Sequence, residues 1–373
     1  MKIDIIILAI IGIVLISGCV QQEQQSEKIR IGFVGPLSGD GSAYGLPAKN
    51  IVEYTVEEIN NAGGINGRKI EIVYEDGKCT AKDGLAAAQS LVELQNVSII
   101  IGSFCTGETM GIAPFTEKNK MLLFSIGSTG PVVTDAGDYV FRSAASSADQ
   151  GKQLSAYIDK NYKKVAILSE LTDFSQSLLK VFKDNIKNAT IVADETFATS
   201  ERDLRAQLTK IKSSNPDAVI FIPQSIPTAN LIAKQAFEIK LNISIIGAHT
   251  MAFEDTIKEY GQNLQDMVIS TPLIDENTQS ARKFFDGYNK KFSANCTIGV
   301  YCGYGYDGIY LLVDAISACG GAENTTCLRD YLYSIKNWNK GILGNISFDQ
   351  NGDIQLQFVM QKLEGNKFVR LGD

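Results

Sequence analysis

Two stretches of the chain place hydroxyl and glycine residues where a strand should hand over to a helix. The first is Ile100-Ile101-Gly102-Ser103-Phe104-Cys105-Thr106-Gly107, and the second is Phe124-Ser125-Ile126-Gly127-Ser128-Thr129-Gly130-Pro131. Backbone N–H groups at the start of a helix have no intrahelical acceptor, and Ser or Thr hydroxyls beside them add further donors. Together they can hold an anion without any cationic side chain. A carboxylate fits that chemistry. The same residues also serve simply as helix caps. Their repetition on successive strands is what points to a binding site.

Other chemistries are excluded by what the chain lacks. There is no G-x-S-x-G nucleophile elbow and no phosphate-binding P-loop, and Gly32-Phe33-Val34-Gly35-Pro36 is a strand-to-turn step rather than a dinucleotide motif. With one histidine, His249, the zinc-hydrolase patterns cannot be built. The formal charge of −7, with no basic cluster, excludes a nucleic-acid partner. No cofactor is implied. A paired-carboxylate glycosidase site is formally open, but a single tryptophan, Trp338, offers no sugar platform. Catalysis is therefore not expected.

The N-terminus sets the working compartment. Lys2, an apolar run from Ile5 to Ile16 and the small residues Ser17-Gly18 before Cys19 make an export leader too short to span a bilayer comfortably. The junction resembles the lipobox of prokaryotic lipoproteins. That resemblance implies a signal peptide over 1–18, lipidation of Cys19 and a Gln/Glu/Ser tether over 19–27. The remaining cysteines are Cys79, Cys105, Cys296, Cys302, Cys319 and Cys327, an even number without C-x-x-C spacing. In an exported chain these are disulfide candidates. Proximity favours Cys296–Cys302 and Cys319–Cys327 as local clips and leaves Cys79–Cys105, though six cysteines allow many pairings.

The elements that must carry the two junctions follow a βα rhythm. Ile29 to Val34 reads as a strand, and Ala48, Ile51, Val52, Val56 and Ile59 form a helical face stopped at Gly63-Gly64. Strands at 70–74, 98–101 and 121–125 alternate with helices at 81–93 and 107–117. The rhythm restarts after Arg142, with strands at 165–168, 191–197, 218–222 and 243–246. Helices are expected at 175–186, around Leu204 to Ile211, at 227–240, around Ala281 to Phe292 and at 304–318. The tail reads as hairpin material around Asn351-Gly352. A chain of 373 residues exceeds one core, so two α/β, Rossmann-like lobes are expected, with three crossovers near Ala144, Thr271 and Asn339. Lobe one is then 28–143 plus 273–339, and lobe two 144–272 plus 340–373. A ligand belongs in the cleft, at the strand C-terminal ends.

Ile31-Gly32-Phe33-Val34-Gly35-Pro36-Leu37-Ser38-Gly39 with Tyr44-Gly45, and Glu58 through Arg68, resemble the opening of the leucine/isoleucine/valine-binding proteins. These are the extracytoplasmic receptors of ABC importers, with a type I periplasmic-binding fold. The resemblance runs from Lys28 to the C-terminus and thins after Ser270. It implies that Cys79 and Cys105 form the lobe-one disulfide, and that Thr106, Ser128 and Thr129 hold the ligand carboxylate. It also implies that the Tyr44 and Phe174 rings close over the ligand, with Gln224 and the Gly247-Ala248-His249 position lining the pocket.

One departure bears on the ligand. The amino-acid binders carry an acidic residue for the ligand ammonium where this chain has His249, and a second acidic position is Ser147 here. Either a shifted carboxylate (Asp149, Glu170 or Glu254) substitutes, or the ligand lacks an ammonium group. The resemblance implies a small carboxylate ligand, first of all a branched-chain or apolar amino acid, delivered to an ABC permease. A sensor of the same fold, or a binder of an aromatic acid, an amide or a urea-like ligand, is the alternative. If His249 meets the ligand, affinity should vary between about pH 5 and 8.

Overall fold

The computed structural model describes residues 28–372. The leader, Cys19 and the tether lie outside the described residues. Within them the chain builds two sheets with helices on both faces. The first sheet is formed by β1 (Ile29–Gly35), β2 (Ile70–Asp76), β3 (Ile99–Gly102), β4 (Leu122–Ser125) and β5 (Val140–Arg142). Their order is β2-β1-β3-β4-β5, and every pair is parallel. All residues of β3 and β4 are buried, as unbroken Ile and Leu runs require when helices cover both faces. The covering helices between these strands are α1 (Ser42–Asn61), α2 (Ala81–Gln95) and α3 (Thr106–Lys118). The expected face of α1, Ala48, Ile51, Val52, Val56 and Ile59, is its buried face. The helix ends where Gly63 and Gly64 adopt φ of 111° and 76°. A Cβ on Gly64 would sit 2.1 Å from the Arg68 carbonyl oxygen, so both the turn and the close approach require glycine there.

The chain leaves this sheet through Arg142 and enters α4 (Ala148–Asn161), an element not anticipated from the pattern. The second sheet comprises β6 (Lys164–Glu170), β7 (Thr190–Phe197), β8 (Ala218–Ile222), β9 (Ser244–Gly247), β10 (Val268–Pro272), β11 (Phe358–Glu364) and β12 (Lys367–Arg370). Its order is β12-β11-β10-β9-β8-β6-β7, parallel except for the last two strands. Between them lie α5 (Asp173–Asn185), α6 (Arg205–Ser213), α7 (Ile226–Glu238) and α8 (Glu254–Tyr260). After β10 the chain returns to the first core as α9 (Gln279–Phe292), α10 (Tyr301–Ala318) and α11 (Thr325–Ser334), with Phe284, Tyr304, Leu312 and Leu328 buried there.

Two details differ from expectation. Ile342, Leu343, Ile346, Phe348 and Ile354 pack into the first core, so the third passage falls near 357 rather than 339. The cause is a carboxylate: buried Asp307 on α10 accepts from the Ile342 and Leu343 amides at 2.8 Å each and pins that segment to the first lobe. Burial pushes the Asp307 carboxyl up to about 7. The C-terminal hairpin turns at Gly365-Asn366, between β11 and β12, while Asn351-Gly352 makes a separate tight turn closed by the Phe348–Ile354 bridge. The three disulfides are Cys79–Cys105, Cys296–Cys302 and Cys319–Cys327, the pairing that proximity favoured.

The first and last passages between lobes meet at one buried ion pair. Arg142 donates through Nε to Asp353 Oδ1 at 2.5 Å and through Nη2 to Oδ2 at 2.6 Å. Its Nη1 reaches the carbonyls of Ser128 (3.1 Å) and Gly130 (2.8 Å), and Nη2 also reaches Thr134 Oγ1 (2.8 Å). Both side chains are almost wholly buried. Removing one partner of such a pair strands the other charge. Asp353→Ala should therefore cost about 3–5 kcal/mol of unfolding free energy; an unchanged denaturant midpoint would show that the pair does not hold this junction.

Candidate functional site

The two hydroxyl-glycine junctions lie side by side because β3 and β4 are neighbouring parallel strands whose C-terminal ends face the second lobe. The first opens α3, where Thr106 and Gly107 occupy the first helical positions and their amides have no intrahelical acceptor. Glu108 folds back to accept from the Cys105 amide (3.1 Å) and, across the disulfide, from the Cys79 amide (2.9 Å). Burial raises the Glu108 carboxyl to about 7. The second junction is locked to the first: the Gly130 amide donates to Thr106 Oγ1 at 3.2 Å.

A cavity enclosing about 290 Å3 of space, part of it open to solvent, lies against these junctions. The room left for a guest in this arrangement is only about 20 Å3, far below the roughly 300–1,000 Å3 usual for small-molecule sites. Lobe one contributes Tyr44, Phe104, Cys105, Thr106, Gly127 and Thr129. Lobe two contributes Phe174, Gln224, Thr250 and Phe253, and α10 contributes Tyr301. Five of the seven residues expected at a ligand site, Tyr44, Thr106, Thr129, Phe174 and Gln224, are thus brought together. The Tyr44 ring stacks on Phe104 with centroids 5.0 Å apart and lies 6.2 Å from Phe253; Tyr301 is 5.0 Å from Phe104. The chamber has aromatic walls around a floor of hydroxyls and helix-start amides.

Ser128 and His249 do not line it. Ser128 Oγ donates to the Ser103 carbonyl (2.6 Å) and meets Thr109 Oγ1 (2.5 Å), so this hydroxyl ties the two junctions together instead of facing the cleft. Ser125 Oγ supports the same loop by accepting from the Ser128 amide at 3.0 Å. Ser147, at the position where an acid was looked for, binds the Thr129 carbonyl through its amide and its hydroxyl, both at 2.8 Å.

His249 is a buried strut between the lobes. Its Nδ1 is 3.1 Å from Gln150 Oε1 and its Nε2 is 2.7 Å from the Tyr301 hydroxyl. Because the Gln150 amide nitrogen donates to the Ser270 carbonyl, its oxygen faces the imidazole. This assigns the proton to Nδ1 and makes Tyr301 the donor to Nε2. Burial lowers the His249 pKa to about 4. Burial thus favours the neutral ring in this arrangement. A wider recess, with room of about 220 Å3, lies across His249 and Tyr301, toward the Cys296–Cys302 clip, away from the helix start.

Polar contacts also join the lobes around the chamber. Besides the His249–Tyr301 bond, Gln224 Nε2 reaches Cys79 Sγ at 3.0 Å, and Arg202 pairs with Asp40 at 2.8 Å on the rim. The Tyr44 hydroxyl lies 3.1 and 3.2 Å from the two disulfide sulfurs, so Tyr44, the disulfide and Gln224 form one seam. Among the wall residues, Phe104, Thr250, Phe253 and Tyr301 were not anticipated. For Tyr301 a signal existed. The run Tyr301-Cys302-Gly303-Tyr304-Gly305-Tyr306 places Tyr301 and Tyr304 on one helical face, and glycines let that helix approach closely. Phe253 follows a short 3-10 turn at His249–Ala252, which no periodicity marks.

With this geometry in place, the relatives decide the class. The sequence profile described as "Periplasmic binding protein" matches residues 28–367. The chain belongs to the periplasmic binding protein family. It is 28% identical over 364 residues to Leu/Ile/Val-binding protein homolog 2 of Brucella abortus, covering 91% of this chain and 92% of that one. It is 23% identical to the Leu/Ile/Val-binding protein of Escherichia coli, covering 92% and 94%. Among solved structures, the branched-chain amino acid transporter substrate binding protein of Streptococcus pneumoniae, in complex with isoleucine, matches with a TM-score of 0.81 and 28% identity, over 92% of this chain and all of that one. A solute binding protein of R. palustris in complex with benzoate superposes with a TM-score of 0.84 at 18% identity, over 92% and 96%, a likeness of fold alone. The fold is the two-lobed type I periplasmic-binding architecture. As a member of this family the chain is an extracytoplasmic binding protein, not an enzyme.

The strut role of His249 has a pH signature. A base whose folded pKa is lowered favours the folded state above its unfolded value of about 6.5, and that contribution is lost as pH falls toward about 4. The stability difference between wild type and His249→Gln should shrink over this window in melting curves; a difference independent of pH would contradict a buried neutral imidazole.

Proposed function

We propose that this binding protein captures a small carboxylate-bearing metabolite, an apolar or branched-chain amino acid, between its two lobes and presents it to a membrane permease. The observation that carries this reading is the floor of the chamber. The start of α3 and the Thr106 and Thr129 hydroxyls offer donors for an anion where no Lys or Arg lines the wall. The walls of Tyr44, Phe104, Phe253 and Tyr301 then give an apolar side chain a place to be buried. The likeness to Leu/Ile/Val-binding relatives is consistent with that ligand class. An aromatic acid is the second reading, favoured by the near-parallel rings of Tyr44, Phe104 and Phe253, whose interplanar angles of 25° and 14° would suit a planar guest.

The moving parts in this proposal are the segments 28–143 with 273–357, and 144–272 with 358–372. Closure would be a population shift toward the arrangement in which ligand touches both lobes. The His249–Tyr301 and Gln224–Cys79 contacts belong to that shut state. Cys19 is proposed as the lipid-bearing first residue of the mature chain, holding the protein at the outer face of the cell membrane.

Two measurements test the proposal. Thr129→Ala should weaken a carboxylate ligand by about 1.5–3 kcal/mol, roughly 10- to 150-fold in Kd, if its hydroxyl bonds a charged group. Unchanged calorimetric affinity would remove Thr129 from the site. Cys19→Ser should move the exported protein from the membrane fraction to the soluble one; an unaltered distribution would dispose of the lipid anchor.

A further inference from the structure

One carboxylate directly behind the chamber wall, bonded to the wall residue Gln224, is left incomplete by the protein. Glu170 ends β6 and is fully buried. Its Oε2 accepts from the Gln224 amide (2.7 Å) and from Thr228 Oγ1 (2.9 Å), whereas Oε1 has no protein donor. The side-chain oxygen of Gln224, a residue of the chamber wall, is likewise buried without a donor. The amide nitrogen of that side chain points the other way, to Cys79 Sγ. Two acceptors thus share one corner of lobe two, one of them on a carboxylate, and no Lys or Arg lines the chamber. Glu170 is close enough to the Tyr44 hydroxyl that its charge helps raise the phenol pKa.

Burying a carboxylate oxygen without a donor is costly. The group that relieves that cost best is a cation with several N–H donors. Other carboxylates nearby are already engaged or exposed: Asp149 pairs with Lys152 at the surface, Glu254 is exposed, and Glu108 is held by two amides beneath the disulfide. We propose that Glu170, together with the side-chain oxygen of Gln224, forms the subsite for an ammonium group on the ligand. This inference rests on the carboxylate reading above and sharpens it. A ligand held by its carboxylate on lobe one and by its ammonium on lobe two is a zwitterion, and only a zwitterion draws the lobes together through both of its charges.

The test is a calorimetric titration of the mature protein with L-leucine, L-valine and L-alanine, each paired with its deaminated acid (4-methylpentanoate, 3-methylbutanoate, propanoate). Wild type should bind at least one amino acid roughly 30-fold or more tighter than its deaminated partner. Glu170→Gln retains an oxygen for the Gln224 amide and Thr228 but loses the charge. It should abolish most of that preference while leaving the deaminated acid's affinity unchanged. Gln224→Leu should reduce the preference in the same direction. Equal wild-type affinity for amino acid and deaminated acid overturns the ammonium subsite and leaves the carboxylate reading standing. The same holds if Glu170→Gln weakens both compounds alike, since Glu170 is then only a staple for the loop at Gln224. If wild type binds neither kind of compound, the apolar amino-acid reading falls and this subsite with it. Should Glu170→Gln not fold, the wild-type preference and Gln224→Leu still decide the matter.

Discussion

The buried guanidinium of Arg142 is the interaction on which the site depends. A charge taken out of water is tolerated only when its donors are satisfied, and Arg142 meets that demand with the Asp353 carboxylate, the Thr134 hydroxyl and the Ser128 and Gly130 carbonyls. Turning those two carbonyls inward fixes the backbone of the loop that carries Thr129 to the chamber. Asp353 belongs to the segment that precedes the last passage between lobes, and Arg142 to the first. The same pair therefore couples the geometry of the anion floor to the strands about which the lobes move.

Above that floor, polar and apolar duties are separated by lobe. The first lobe supplies helix-start amides and hydroxyls from two adjacent βα junctions. Most of the closing groups, Phe174, Thr250, Phe253 and Gln224, come from the second. The Cys79–Cys105 disulfide sits at their meeting line, with the Tyr44 hydroxyl and the Gln224 amide both against its sulfurs. Its covalent role is to hold the α3 start beside the Gly77–Thr80 turn. Its sulfurs in addition give lobe two a polarisable surface on which to close.

Part of the chamber lining was legible because hydroxyl and glycine residues recur at two neighbouring strand ends, although such residues also cap helices. Thr106 and Thr129 line the chamber. Ser128 has the same chemistry one residue away, yet its hydroxyl points into the protein, since successive residues of a tight loop face opposite ways. His249 drew attention through the residue that relatives carry at its position. Its partners, Gln150 and Tyr301, lie far away in sequence, and no local pattern could show that both ring nitrogens were engaged. The apolar run from Ile342 to Phe348 reads equally well as the start of either lobe; only the long-range bonds from Asp307 assign it to the first.

Alternation of β-rich runs with amphipathic helices was enough by itself to establish two α/β lobes, because periods of 2 and 3.6 residues follow from local backbone geometry. Export and the pairing of the cysteines could be read in the same way from residue types and their spacing. Which hydroxyl faces the cleft, which aromatic rings from Phe104 to Tyr301 form its walls, and which carboxylate is left short of a donor were decided by tertiary structure. Those properties depend on groups carried by separate elements and brought together only when the chain packs, and no local rule of sequence encodes that proximity.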